Sequence, residues 1–194
     1  MTDATQLQAR YEKFSRLLTS TASDSELLAI QELLNALGER IVLAPGSLLE
    51  TEPWSRPGGL IEYSMAVTQQ MRTIAKAMGL SIAPYSIIRV GLLHSLGLIG
   101  DSTKDYFLPQ DSDWHRKQGR LYRYNEELPK MPVAHRTLFL LQEFGVHLTI
   151  DEWVAIATAG GPSREENRFY VGSEPQLSVL LSQSRQWIHA FNNN

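Results

Sequence analysis

The chain has no cysteine among its 194 residues, which excludes disulfide bonds, thiolate nucleophiles and zinc sites with cysteine ligands. Long hydrophobic runs are also lacking, because charged residues interrupt each apolar stretch before it reaches the about 20 residues of a membrane-spanning helix. The segment from Met1 to Ala9 is polar and has no apolar signal core. We therefore expect a cytoplasmic protein without a membrane segment.

An excess of positive charge is absent as well. Lys and Arg number 18 against 21 Asp and Glu, which gives a formal net charge of -3. Nucleic-acid binding is disfavoured, because it needs a broad basic surface that holds the phosphates. What the chain does have is a hydrophobic content of 43%, enough at this length for one sizeable core. We expect a single domain over residues 1–194.

Two helices are predicted within residues 1–43, where apolar residues recur every three or four positions. Ser23 and Glu26 have the spacing of a capping box, in which each side chain accepts a hydrogen bond from the other residue's backbone N–H. Gly38 suits the end of a helix, since glycine readily adopts the left-handed conformation found there. The second helix is therefore predicted to begin near Ser23 and to end near Gly38.

The segment 44–59 contains six prolines and glycines, a density that neither a helix nor a central strand accepts. We predict that it forms a loop over the core. A helix ended by Gly79 follows, and Pro84 stands at the first turn of another helix that runs to about Leu96.

Residues 100–131 lack a sustained period and are predicted to form a long irregular excursion, with a short hairpin around Gly119 as one interpretation. Further helices are predicted at 132–144, 149–158 and 174–191. Thr149 and Glu152 form a second capping-box pair at the start of one of them. The fold class predicted from these patterns is all-α.

Sequence motifs that carry chemistry are missing. The five histidines show no spacing typical of metal ligands, since no pair lies one helical turn apart. The chain also lacks a Gly-x-Ser-x-Gly nucleophile motif and a Walker-type phosphate loop. Taken alone, these patterns predict an α-helical domain and no particular reaction.

Four segments nonetheless look like successive blocks of a known enzyme superfamily. They are PGGLIEYSMAV, LLHSLGLIGD, YNEELPKMPVAHRTLFLLQEFGVHLTIDEWVAI and LLSQSRQWIHAF. Over roughly residues 57–190 the chain resembles the phage-type branch of the HD-domain metal-dependent phosphohydrolase superfamily. The resemblance implies an HD-domain-like helical bundle over that range, preceded by the helices within residues 1–43.

In this superfamily a His on one helix, a His-Asp pair ending the next and a later Asp hold a divalent cation, which activates water against a phosphate ester. Carried over by the resemblance, these positions fall at Tyr63, at His94 with Ser95, and at Arg185. A further His-Asp-Gly motif falls at residues 159–161, which are Ala-Gly-Gly. Only His94 keeps a metal-binding side chain. The resemblance therefore implies the fold without the metal, a cofactor or catalytic residues.

Each of these positions has a functional and a structural interpretation. His94 is either a remnant ligand or a buried histidine of the helical core. Tyr63 either plugs the former metal pocket with its ring or offers its hydroxyl to a ligand. Arg185 either points into that pocket, where its guanidinium would hold a phosphate or carboxylate bidentately, or faces solvent. Arg89 is a candidate for extending such an anion site.

The irregular excursion is rich in aromatic residues. They are Tyr106, Phe107, Trp114, Tyr122 and Tyr124. One interpretation is a lid over the pocket or a surface for a partner, because aromatic residues are favoured at interface hot spots. The other is that these side chains cap the core.

Three functions are compatible with this sequence. We expect first a non-catalytic HD-fold protein, phage-encoded by resemblance, that engages a host or phage protein. The second hypothesis is metal-independent binding of a nucleotide or another anionic small molecule, as a sponge or sensor. The third is a metal-dependent nucleotide phosphohydrolase with other ligands, such as Glu62, Asp101 or Asp105 beside His94. Convergence of the substituted ligand positions on an open cavity would favour the second hypothesis over the first. Resemblance also suggests pairing into a homodimer.

Overall fold

The structure is a computed structural model that describes residues 4–192 and is mostly helical in that range. The helices are α1 Ala4–Thr19, α2 Asp24–Leu43, α3 Gly59–Met78, α4 Pro84–Leu93, α5 Asp113–Lys117, α6 Val133–Glu143, α7 Ile150–Ala157 and α8 Gln176–Asn192. Short 3₁₀ turns lie at Leu96–Ile99, Thr158–Gly160 and Glu165–Tyr170. The all-α fold class is confirmed. The ends of the predicted domain, 1–3 and 193–194, lie outside the described residues.

Helices α1 and α2 pack on each other at the start of the chain. The capping box at Ser23 and Glu26 is confirmed. The prediction that Gly38 ends α2 is wrong, because the helix continues to Leu43. A Cβ at Gly38 would lie 2.4 Å from the hydroxyl of Tyr11, which donates to the Leu34 carbonyl at 2.9 Å. Glycine is needed here for the close contact between α1 and α2.

Helices α3 and α4 form the most extensive pair in the fold. Gly79 ends α3 in the left-handed conformation (φ 62°), as predicted. A Cβ at Gly91 would lie 2.5 Å from Thr68 Oγ1, so the missing side chain lets α4 approach α3 closely. Helix α4 ends at Leu93, three residues before the predicted end near Leu96, and the 3₁₀ turn Leu96–Ile99 follows it.

The excursion contains two short antiparallel strands, β1 Phe107–Pro109 and β2 Tyr122–Tyr124, in which Phe107 pairs with Tyr124. Helix α5 and Gly119 lie in the connection between them, so the hairpin around Gly119 is present but has a long loop. Arg40 of α2 forms hydrogen bonds with the start of the excursion. It donates to the Asp105 carboxylate at 2.7 Å and to two backbone carbonyls at 2.6 Å.

One hydrophobic cluster links the N-terminal helices to the C-terminal helix. It includes Phe14 of α1, Ile41 of α2, Met71 of α3, Leu140 of α6 and Leu181 of α8. The capping box of Thr149 and Glu152, which begins α7, is confirmed. None of the helices in the described range is long and apolar enough to cross a membrane.

Candidate functional site

A cavity of about 580 Å³ opens beside the start of α3, the end of α4 and the second half of α8. Its lining includes all four positions at which the resemblance predicts the metal ligands: Tyr63, His94, Ser95 and Arg185. Ala159 and Gly160, from the degenerate His-Asp-Gly motif, line it too. Positions separated by as many as 122 residues along the chain therefore meet at one open cavity.

Tyr63 lies one turn into α3, where its ring forms part of the cavity wall and its hydroxyl contacts Arg185. The residue is 5% exposed, and its ring centroid lies 4.9 Å from that of Trp54 and 5.5 Å from that of His94. Its hydroxyl oxygen accepts a hydrogen bond from Arg185 Nε at 2.9 Å and lies 3.2 Å from His189 Nε2. The ring packs in the cavity wall, and the hydroxyl orients the guanidinium of Arg185 without closing the cavity.

Arg185 is half-buried on α8 and faces the cavity, so the solvent-facing interpretation is wrong. Its Nε is used by Tyr63, whereas its two terminal nitrogens make no hydrogen bond or ion pair in the described part of the chain. A guanidinium presents five N–H donors in a rigid fork that matches a carboxylate or phosphate. The donors left over on Arg185 are therefore available to an anion.

His94 is buried, and the pKa of its imidazole is lowered to about 3. Burial is the largest cause, because an imidazolium would lose its hydration, and the positive charge of Arg185 adds to it. Nδ1 lies 2.9 Å from the Gly91 carbonyl, which can only accept, so Nδ1 carries the proton. Nε2 has no hydrogen-bond partner among the described residues. His94 is thus a neutral histidine of the core at physiological pH.

Among the described residues, no metal-binding group assembles around His94. Ser95 pairs with Ser64 through their hydroxyls, 3.2 Å apart. In the range that the structure describes, no cluster of three or more His, Asp or Glu side chains could hold a metal ion. The carboxylates considered as alternative ligands have other partners. Glu62 pairs with Arg10 and Arg56, Asp101 accepts from Thr103 and Lys104, and Asp105 accepts from Arg40. In the described range, these carboxylates do not assemble with His94 into a metal-binding cluster.

Arg89 lies away from the cavity. Its buried guanidinium donates to the Glu26 carboxylate at 2.9 Å and to the Thr21 carbonyl at 2.7 Å, and the fully buried Glu152 carboxylate is 3.8 Å away. The prediction that Arg89 extends the anion site is wrong, because carboxylates of α2 and α7 already neutralise its charge.

The aromatic residues of the excursion separate into two groups. Tyr106 and Tyr124 line the cavity, and their rings pack edge to face with centroids 5.4 Å apart. Trp114 and Tyr122 do not line it. Trp114 is 64% exposed and packs on its neighbour His115, while Tyr122 packs on Phe107 within the strand pair. The lid interpretation is therefore compatible with Tyr106 and Tyr124 alone.

Several residues of the cavity were not identified from the sequence, among them Glu52, Trp54 and His189. His189 follows Arg185 by four residues on α8, a spacing that puts both on one helix face and that the sequence does contain. Burial lowers its pKa, Arg185 lowers it further, and Glu52 raises it. Glu52 and Trp54 lie in an irregular loop, where no periodic pattern indicates their direction.

Comparison with known proteins identifies no match: no family model, no curated protein and no solved structure is significantly similar to the chain. Its function has to be inferred from the geometry of the cavity.

Proposed function

We propose that the chain binds a small anionic molecule in this cavity without a metal ion, and that it is a catalytically inactive protein of the HD type. The observation that carries the proposal is the Arg185 guanidinium. It is half-buried, it is oriented through Nε by Tyr63, and its terminal nitrogens have no partner in the described range.

The Arg185 guanidinium in this position lowers the stability of the ligand-free protein. Burial removes part of the hydration of the guanidinium, and no carboxylate within ion-pair distance in the described range compensates for it. Both histidines nearby have a lowered pKa, so they add little positive charge of their own. An anion with two oxygens would restore the lost hydrogen bonds in bidentate geometry, and such bonds are roughly twice as strong as neutral ones.

The lack of a metal-binding cluster among the described residues supports a role in binding over hydrolysis. The resemblance supports the same assignment, since the substituted ligand positions share one cavity that is open to solvent. Engagement of a protein partner, which the sequence favoured, stays a prediction. Pairing into a homodimer, a phage origin and a cytoplasmic location stay predictions as well.

The proposal is tested by thermal denaturation with inorganic phosphate, propyl phosphate and a panel of nucleoside monophosphates, each in EDTA and in Mn²⁺. A ligand that binds only the folded state raises its stability by about 2.7 kcal/mol at a concentration of 100 Kd. We expect stabilisation in EDTA by at least one of these anions. Stabilisation that requires Mn²⁺, or none with any anion, would contradict the proposal.

The Arg185→Gln variant tests whether the anion binds at Arg185. Loss of charge-assisted hydrogen bonds costs about 1.5–3 kcal/mol, so we expect an affinity at least about tenfold lower by isothermal titration calorimetry. Arg72→Gln is the matched control, because Arg72 is exposed on α3, outside the cavity lining. Equal losses in both variants would point to a nonspecific effect of net charge.

A further inference from the structure

Glu52 lies in the wall of the same cavity as Arg185 and carries the opposite charge. It is half-buried, and its carboxylate makes no hydrogen bond or ion pair in the described range. Glu52 and Arg185 therefore do not neutralise each other directly. Each of them leaves a partly desolvated charge facing the cavity, which is costly in the free protein.

The loop that carries Glu52 is fixed at several points. Its carbonyl accepts from the backbone N–H of Ser55 at 3.2 Å and from the Ser55 hydroxyl at 2.9 Å. Two residues on, the Trp54 carbonyl accepts from the Gly46 N–H at 2.8 Å. A Cβ at Gly59 would lie 1.9 Å from that carbonyl oxygen, so only glycine permits this approach. The position of Glu52 is thus preorganised by the backbone.

Trp54 lines the same cavity and adds an aromatic surface to its wall. The residue is 7% exposed, and its ring centroid lies 4.9 Å from that of Tyr63 and 5.7 Å from that of His189, edge to face. Arg185 lowers the pKa of His189 while Glu52 raises it, so both charges act on this imidazole. The cavity wall therefore carries a positive charge at Arg185 and a negative charge at Glu52.

We propose that the ligand is a zwitterion, with its anionic group on Arg185 and its ammonium group on Glu52. This inference rests on the proposed function, because it assumes that Arg185 binds an anion. A simple anion would leave Glu52 unpaired and would be repelled by it. A zwitterion pairs both charges. Arg164 and Glu166 line the cavity as well, but they are exposed, and solvent screens their contribution.

The test compares phosphoethanolamine with propyl phosphate, which has the same shape but a methyl group in place of the ammonium. Binding of each is measured by isothermal titration calorimetry at pH 7, with wild type, Glu52→Gln, Arg185→Gln and Glu50→Gln. We expect wild type to bind phosphoethanolamine at least about tenfold more tightly than propyl phosphate, the effect of one charge-assisted contact.

Glu52→Gln is expected to remove this preference and to leave the affinity for propyl phosphate unchanged or higher. Arg185→Gln is expected to weaken both compounds. Glu50→Gln is the matched control, because Glu50 is exposed in the same loop and does not line the cavity. Equal affinities of wild type for the two compounds, or a preference that survives Glu52→Gln, would overturn the zwitterion and leave the anion site standing. If neither compound binds the wild-type protein, the result contradicts both the zwitterion proposal and the anion site.

Discussion

At the scale of single residues, Tyr63 shows why one side chain had two defensible interpretations. A tyrosine has an apolar ring that favours burial and a hydroxyl that needs a partner when buried. The ring packs against Trp54 and His94, and the hydroxyl holds Arg185. Sequence alone indicates both tendencies, and it does not say whether the space beyond the hydroxyl is filled or open.

Tyr63→Phe tests the positioning role of this hydroxyl. The substitution keeps the ring and removes the acceptor for Arg185 Nε, so the guanidinium loses its fixed orientation. We expect about tenfold weaker binding of propyl phosphate by calorimetry, and a change in unfolding free energy of about 1 kcal/mol or less. Tyr85→Phe, at a half-exposed position on α4, is the control. Unchanged affinity in Tyr63→Phe would mean that Arg185 orients itself without the tyrosine.

The residues of the cavity differ in how far the sequence predicted them. Tyr63, His94 and Arg185 were identified by resemblance, and they do meet at one cavity. Glu52 and Trp54 were missed because their place depends on the path of an irregular loop, which hydrophobic periodicity does not encode. Hydrophobic periodicity also does not show which distant carboxylates pair with a buried cation. Arg89 therefore remained a candidate for the anion site.

At the scale of elements, the Arg89 ion pair connects three helices. Arg89 of α4 donates to Glu26 in the first turn of α2, and Glu152 in the first turn of α7 lies 3.8 Å away. Glu152 also accepts from Ser86 at 2.7 Å and from the Thr149 N–H at 3.0 Å. Both capping boxes therefore contribute a carboxylate to one cluster. The sequence predicted the two boxes, whereas their meeting at Arg89 depends on contacts 63 residues apart.

This cluster predicts a loss of stability in acid. Hydrogen bonds from Arg89 are the largest cause that lowers the pKa of Glu26, from 4.5 to about 2. A lowered pKa in the folded state contributes stability at a pH above 4.5, and this contribution disappears as the pH falls towards 2. We expect Glu26→Gln to cost about 2 kcal/mol at pH 7 and less at pH 3, by urea denaturation. Glu32→Gln, exposed on the same helix, is the control. An equal cost at both pH values would show that ionised Glu26 does not stabilise the fold.

Element boundaries were predicted well where local chemistry fixes them. Gly79 ends α3 and Ser23 begins α2, because capping depends on residues within one turn. Gly38 was assigned wrongly, because glycine is required there by the close approach of Tyr11, which lies 27 residues earlier in another helix. A glycine required by tertiary packing is indistinguishable in sequence from one that terminates a helix.

At the scale of the whole molecule, the N-terminal helices belong to the same core as the cavity-bearing helices. Phe14, Leu18, Ile30 and Leu37 are almost fully buried in the cluster that also contains Leu181 of α8. Burial of each such side chain stabilises a protein by about 1.5–3 kcal/mol. Four of them together rival the net stability of a typical domain, which is about 5–15 kcal/mol. A variant without residues 1–43 would thus expose the core and lose the Glu26 partner of Arg89.

We expect this truncated variant to lose cooperative unfolding and near-UV circular dichroism and to bind a hydrophobic dye, as proteins without fixed packing do. Adding residues 1–43 as a separate peptide is expected to restore the near-UV signal, because the apolar surface that the helices cover is retained in the truncated chain. A cooperative transition in the truncated variant, measured by urea denaturation with two spectroscopic probes, would instead mean that residues 44–194 fold as a unit. In that case the N-terminal helices would be an attachment to the cavity-bearing core and not a part of it.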